Sequence, residues 1–516
     1  MTRCSRRALL RGAALIPLAA TAADGLLDEA GAENRYFSSH GTYDHHTLSY
    51  DLRLAYDPSS GTLDGHAHIR AVADRPLARV ELDLARLTAH TARVNGIPAR
   101  PRQKGDKLYL TGSHALAAGT PFTVEVGYRG RPAPLRSPFG QIGWDRTGDP
   151  HDGTLVASQP LGAPSWFPCN DRPDDKAAYT FRVTVPHGHQ ALANGTLRDR
   201  HATAAAQCWT YHHSGPMAPY LATLYTGRFT YDAWQAHDSA TGETITGHNH
   251  YPAHLSQQAR HDLARQPDML AAFTGWFGPY PFETYGAVVV DTELDQPVEN
   301  QTLSVFGSNH IDGHRGSETL VAHELAHQWY GNSVSLRNWR DIWLNEGFAT
   351  YSEWLWSEHI GEDSADTIAR AEWHTLNHRH RRDLRIADPG PHRIFDDRIY
   401  TRGACTLHAL RLALGDDRFF PLVRTWHATH RGTSATTAAF IGHAERYSPH
   451  PVQPLLHTWL YERPLPALPR ARPDTLRFVP EGPSGPASAC LRPLAYPISR
   501  PLPACAGTNQ RCNWRC

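Results

Sequence analysis

The sequence predicts a multidomain α+β protein in which an N-terminal all-β domain precedes a mainly helical one. Three observations carry this. The chain has 516 residues, and a single hydrophobic core rarely grows beyond roughly 250–300 residues, so two or three domains are needed. From about residue 41 to 231, short segments alternate apolar and polar side chains. After Tyr231 the apolar period lengthens toward that of helices. The expected organisation is a leader over 1–34, a β domain over 35–231, a second domain over 232–466 and a loose Pro/Cys-rich tail over 467–516.

Composition narrows the classes. Forty per cent apolar and 10% aromatic residues can fill real cores, which excludes a wholly disordered chain or a coiled coil. The 51 basic and 51 acidic side chains cancel, so there is no electrostatic footprint for nucleic acid. Lysine occurs only at Lys104, Lys107 and Lys176, against abundant Arg, Ala, Pro and Gly. That pattern reads as genomic base bias, and the 33 histidines fall under it. Any metal site must therefore rest on spacing.

The N-terminus reads Ser5-Arg6-Arg7-Ala8-Leu9-Leu10-Arg11, then an apolar run from Gly12 to Ala20 and an Ala20-Thr21-Ala22 cleavage pattern. Paired arginines, a short apolar stretch and small residues in that order predict a twin-arginine export signal and a secreted protein. No other run approaches the ~18 apolar residues of a spanning helix, so no integral membrane segment is expected in the mature chain.

The β elements are the alternating stretches from His46 to Tyr56, Arg79 to Leu84 and Tyr179 to Val185, separated by turn residues. Beyond Tyr231 come one more strand-like piece, Glu243 to Tyr251, helical periodicity from Leu255 to Phe277, and a Gly-Pro-Tyr-Pro break at 278–281. From Ser317 to Tyr461 the pattern is largely helical, with a helix expected over Ala404 to Leu414, and there is no internal repeat. Pro464 to Pro503 holds eleven prolines in forty residues, which no packed helical domain tolerates. The spacing of Cys490, Cys505, Cys512 and Cys516 fits no standard zinc module.

The sharpest motif is Ser317-Glu-Thr-Leu-Val-Ala-His-Glu-Leu-Ala-His-Gln-Trp-Tyr-Gly331. Ser317 can cap the start of that helix and Gly331 can end it. His323 and His327 are four residues apart, so both imidazoles leave one face and can hold one metal ion, with Glu324 beside them. At this chain's own composition the pattern arises by chance about 0.07 times. Glu346, in Asp341-Ile-Trp-Leu-Asn-Glu-Gly-Phe-Ala-Thr-Tyr351, opens a second predicted helix. Requiring a glutamate at that offset lowers the chance expectation to roughly 0.003, which makes satisfied core histidines and a solvated carboxylate a poor account. Two imidazoles and one carboxylate leave the fourth tetrahedral position to water, the pattern of a catalytic zinc, with Glu324 as general base. Cobalt or manganese would also suit these ligands.

His-Glu-Leu-Ala-His-Gln-Trp-Tyr-Gly followed by Trp-Leu-Asn-Glu-Gly-Phe-Ala resembles the gluzincin zinc aminopeptidases, the family of aminopeptidase N and leukotriene hydrolase. The resemblance runs over roughly 41–466 and implies a saddle-like β domain followed by a thermolysin-like catalytic domain. Three further segments are similar to family motifs. Gln159-Pro-Leu-Gly-Ala-Pro-Ser-Trp-Phe-Pro-Cys-Asn-Asp-Arg-Pro173 looks like the substrate-facing loop of the β domain. Pro297-Val-Glu-Asn-Gln301 stands where the family has Gly-Ala-Met-Glu-Asn, and Ile399-Tyr-Thr-Arg-Gly-Ala404 resembles its Tyr-x-Lys-Gly. By resemblance, Glu299 and Gln159 bind the substrate's terminal ammonium, Tyr400 donates to the oxyanion, and His323, His327 and Glu346 hold one Zn2+.

The sequence departs from the family in three places. Gln296-Pro297-Val298 replaces Gly-Ala-Met, and a proline has no N–H for a substrate strand. Arg402 replaces lysine, which keeps charge and changes geometry. After Trp459-Leu-Tyr-Glu-Arg-Pro464 no large helical domain follows, so a more open cleft is expected. The activity implied is removal of N-terminal residues from peptides. The alternatives are an endopeptidase or epoxide hydrolase on the same site, or a catalytically silent binding protein. Glu299 and Gln159 favour the exopeptidase, and the complete ligand set with Glu324 disfavours the silent scaffold.

Overall fold

The computed structural model describes residues 36–147, 153–378 and 384–470. The expected export leader lies outside these residues, as does most of the expected tail.

The N-terminal half is built on a ten-stranded sheet in the order Thr196–Ala202, Ala206–Met217, Ala177–Pro186, His45–Asp57, Thr62–Ala73, Pro121–Gly130, Leu87–Val94, Ile97–Lys104, Lys107–Thr111 and Val80–Asp83. Every neighbour pair is antiparallel except His45–Asp57 against Ala177–Pro186. The alternation read from the sequence becomes one buried face: Tyr50, Leu52, Leu54 and Tyr56 are all nearly inaccessible. A register shift between Thr47 and Ser49 reverses the parity, so Leu48, in phase with those residues by sequence, faces out at 41% exposure. A second sheet of five strands, Gln190–Ala193, Leu224–Gly227, Gly153–Ala157, Gly140–Thr147 and Leu135–Ser137, covers this core. Trp166 stacks on Phe181, and Tyr179 stacks on both Phe181 and Tyr50. The 159–173 loop is thereby rooted in the β core by its own aromatic residues.

The second half is mixed. Its helices among the described residues are Ser256–Asp262 (α1), Gln266–Phe277 (α2), Glu318–Ala326 (α3), Trp343–His359 (α4), Ala365–His378 (α5), Asp397–Leu414 (α6), Asp416–His430 (α7), Thr437–Glu445 (α8) and Gln453–Tyr461 (α9). Beside them lies a four-stranded sheet, Thr230–His237, Thr244–Tyr251, Thr284–Val290 and Ser304–Gly307. The last two strands pair in parallel, and a run such as Ala287-Val288-Val289-Val290, buried on both faces, shows no alternation that sequence reading could detect. Gly278 ends α2 with φ 90°, at the break expected there. Helix α6 begins at Asp397, seven residues before the expected Ala404. The Asp396 carboxylate caps it by accepting the Arg398 N–H, and this moves Tyr400 into its first turn. Ser317 stands at the N-cap of α3 but makes no side-chain cap bond, since its φ −109° and ψ 23° are not the extended geometry such a bond needs. No helix among the described residues is long and apolar enough to cross a membrane.

Candidate metal centre and active site

Helix α3 ends at Ala326 and His327 continues its geometry with φ −56° and ψ −24°, so the four-residue spacing still places both imidazoles on one side. Helix α4 brings Glu346 to them in its first turn. The Nε2 atoms of His323 and His327 lie 3.5 and 3.4 Å from Glu346 Oε2, and the three donor atoms fall within 4.8 Å of one another. Tetrahedral ligands at ~2.0–2.1 Å from zinc stand about 3.4 Å apart, so the donor set has the spacing the ion requires. All three residues are buried.

The outward nitrogens of both imidazoles are already committed. His323 Nδ1 lies 2.7 Å from Glu353 Oε1, and His327 Nδ1 lies 3.0 Å from the Tyr330 carbonyl oxygen. Both partners only accept, so each Nδ1 carries the proton and each Nε2 presents a lone pair to the shared space. Gly331, at φ 128°, turns the chain over His327, where an added Cβ would meet Nδ1 at 3.0 Å.

The pocket is strongly acidic. Glu299, Glu324, Glu346 and Glu353 surround two imidazoles, and all four carboxylates are buried. Burial opposes protonation of His323 and His327, yet their carboxylate neighbours outweigh it and raise both. Burial likewise opposes ionisation of Glu346, but His327 and His323 hold it down to about 2. For Glu324, burial wins over the two imidazoles and pushes the carboxyl up to about 8. Its Oε2 is buried without a hydrogen-bond partner among the described residues, an acceptor aimed at nothing the chain supplies. A surplus of carboxylates and an unsatisfied oxygen are what a dication and its water would balance.

Glu299 is 4% exposed, and burial chiefly raises its pKa. It receives a 2.5 Å hydrogen bond from Gln159 Nε2, so the β-domain loop and the 297–301 segment meet through the two residues expected to bind an ammonium. Next to Pro297, Val298 exchanges both backbone hydrogen bonds with Val305 within the chain, beside the sheet's edge. The segment is also tied to the end of the histidine helix. Asn332 Nδ2 donates to the Glu299 carbonyl at 2.6 Å, and Gln328 Oε1 accepts the Thr302 N–H at 2.8 Å. Tyr400 lies beside the histidine pair, its ring 6.2 Å from that of His323 at an interplanar angle of 23°.

The structure thus brings His323, Glu346 and His327 together, sets Tyr400 beside His323, and joins Gln159 to Glu299. Glu353, Gln328 and Asn332 escaped sequence reading. For Glu353 a signal existed: it lies two turns after Glu346 on the same helix, hence on the same face. Gln328 and Asn332 act on a segment some thirty residues earlier, which no local pattern encodes.

Comparison with known proteins gives concordant results. The profile of the Peptidase M1 N-terminal domain matches residues 46–221, and that of the Peptidase family M1 domain matches 262–459. Aminopeptidase M1 of Arabidopsis thaliana is 24% identical over 455 residues, 81% of this chain and 50% of that protein. The chain spans about half the length of the curated relatives it matches. Among solved structures, the M1 zinc metallopeptidase of Deinococcus radiodurans is 29% identical with a TM-score of 0.78, covering 85% of this chain and 98% of the other. A mutant of the metallopeptidase from that organism, bound to a Tyr-Ser-Ala substrate, is likewise 29% identical with a TM-score of 0.78, over 85% of this chain and 99% of the other.

Proposed function

The chain belongs to the M1 peptidase family, of the aminopeptidase N type, and from that premise we propose that it is a zinc aminopeptidase releasing the N-terminal residue of peptides. One observation carries this reading beyond metallopeptidase in general: Gln159 and Glu299 join at 2.5 Å beside the His323, His327 and Glu346 cluster. A buried carboxylate next to a carboxamide suits a primary ammonium, and a site so capped would admit a peptide's N-terminus rather than the middle of a longer chain.

His323, His327 and Glu346 would hold the ion. Bound there, zinc would supply Lewis acidity, lowering the pKa of a water toward ~7 and polarising a carbonyl. Glu324 takes the proton from the attacking water and returns it to the leaving amine, a role its unpartnered Oε2 supports. Tyr400 donates its hydroxyl to the developing oxyanion. Glu299 and Gln159 fix the ammonium and so set which peptide bond reaches Glu324. Glu353 and the Tyr330 carbonyl keep both imidazoles in the tautomer that binds metal.

Amino-acid anilides with free and acetylated amines, assayed with and without chelator, test the reading. Free-amine substrates should turn over, acetylated ones should not, and chelation should stop the reaction. Equal turnover of the acetylated series would replace the exopeptidase by an endopeptidase on the same site. Export follows from a different stretch. The Arg6-Arg7 pair and apolar run support delivery through the twin-arginine route, and a double substitution Arg6→Lys, Arg7→Lys should retain the protein inside the cell.

A further inference from the structure

Gly347 and Gly403 meet main chain to main chain where α4 crosses α6. Gly347 follows Glu346, and Gly403 comes three residues after Tyr400. A Cβ on Gly347 would fall 2.9 Å from both Cα and the carbonyl carbon of Gly403, and one on Gly403 would fall 2.8 Å from Gly347 Cα. Carbon atoms in ordinary contact lie ~3.5–4.0 Å apart, so a methyl at either place requires the helices to separate by about 1 Å. The obstructing atoms are backbone, and no side chain can rotate to make room. Neither glycine has a positive φ; close approach, not backbone conformation, excludes a side chain here.

The same turn of α6 is fastened on another side. Arg402, 3% exposed, donates through Nε to Trp459 O, through Nη1 to Leu384 O and Arg463 O, and through Nη2 to Thr458 O and Glu462 O. Four of these carbonyls belong to the end of α9 and the chain beyond it, and that of Leu384 to the connection between α5 and α6. A lysine, with three donors, could not hold all five carbonyls. Residues 400–403 are therefore wedged between α9 and α4, and a methyl at the crossing shifts the turn as a unit, Tyr400 included.

We propose that the Gly347–Gly403 crossing is the positioning element that sets the distance from Tyr400 to the metal ligands. This rests on the reading of Tyr400 as the oxyanion donor. Helix glycines elsewhere have room for a methyl: Gly275 in α2 and Gly442 in α8 lie on exposed helix faces with nothing within 4 Å of an added Cβ, and alanine there should be neutral or stabilising. At Gly403 the outcome should be catalytic, because a misplacement of about 1 Å can cost ~10²-fold in rate.

The test compares Gly403→Ala and Gly347→Ala with Gly275→Ala and Gly442→Ala, by kinetics, zinc content and crystallography. Gly403→Ala should lower kcat by ~10²-fold, the size of a lost oxyanion donor, with KM changed less than about threefold and zinc retained. Its crystal structure should show the Tyr400 and His323 rings further apart than 6.2 Å. Introduced into Tyr400→Phe, the same substitution should lower kcat by less than about threefold more. An unchanged kcat, an unchanged ring separation, or an equal loss in the Tyr400→Phe background would overturn the proposal. If Tyr400→Phe itself keeps full turnover, the assignment of Tyr400 fails, while the ring separation still decides the positioning claim. Should Gly403→Ala not fold, the ring separation in Gly347→Ala decides it by the same criterion.

Discussion

Glu353 accepts the Nδ1 proton of His323 at 2.7 Å, two turns along the helix that also supplies Glu346. One helix thus provides both a candidate metal ligand and the group that orients another. Glu353→Gln should weaken metal affinity by ~10–100-fold while leaving the fold intact. Competition with a chromophoric chelator measures it, and unchanged affinity would remove Glu353 from metal binding.

Glu324 carries the proton in the proposed reaction and is not among the three residues that would hold the ion. Glu324→Gln should retain zinc and lower kcat by ~10²–10⁴-fold, the usual worth of general base catalysis. Metal content and turnover on a free-amine anilide check this together. Retained activity would assign the base elsewhere.

The Asn332 amide holds the carbonyl of Glu299 at 2.6 Å. Asn332→Ala leaves that buried oxygen unsatisfied, a loss of about 1–3 kcal/mol in stability, and frees the segment that recognises the ammonium. KM for free-amine substrates should rise more than kcat falls, with zinc unchanged. A pure stability loss with normal KM would confine Asn332 to a structural role.

Acid should unfold the protein through its buried neutral histidines. Burial pushes His213 and His427 down to about 3, from an ordinary value of 6.5. Between those limits the unfolded chain binds protons that the folded chain refuses, so stability falls as pH falls below about 6.5. Each such histidine contributes a slope of up to about 1.4 kcal/mol per pH unit. His213 Nε2 accepts from the Gln301 amide, which requires the neutral ring. Urea unfolding of His213→Gln between pH 6 and 4.5 should show a shallower slope than the parent; an identical slope would exclude His213 as a contributor.

The sequence by itself determined the candidate metal cluster of His323, His327 and Glu346, the carboxylate of Glu324 beside it and the order of a β half before a helical half. Those signals are local. Two histidines four residues apart share a helix face in any context, and alternation over six or more residues marks a half-buried strand whatever it packs on. Arg402 and Pro297 were legible as departures from the family pattern, but not what they do. Arg402 collects the carbonyls that end α9, and Pro297 leaves the Val298 pairing with Val305 untouched. Tertiary structure alone decided the junction of Gln159 with Glu299, the anchoring of Glu299 by Asn332, the partner of His323 and the place of Tyr400 in a first helical turn. Each joins residues that are distant in the chain or depends on a cap that competes with its neighbours. The meeting of Gly347 and Gly403 shows the reason most plainly: a glycine states that a side chain is absent, and only packing states what stands in its place.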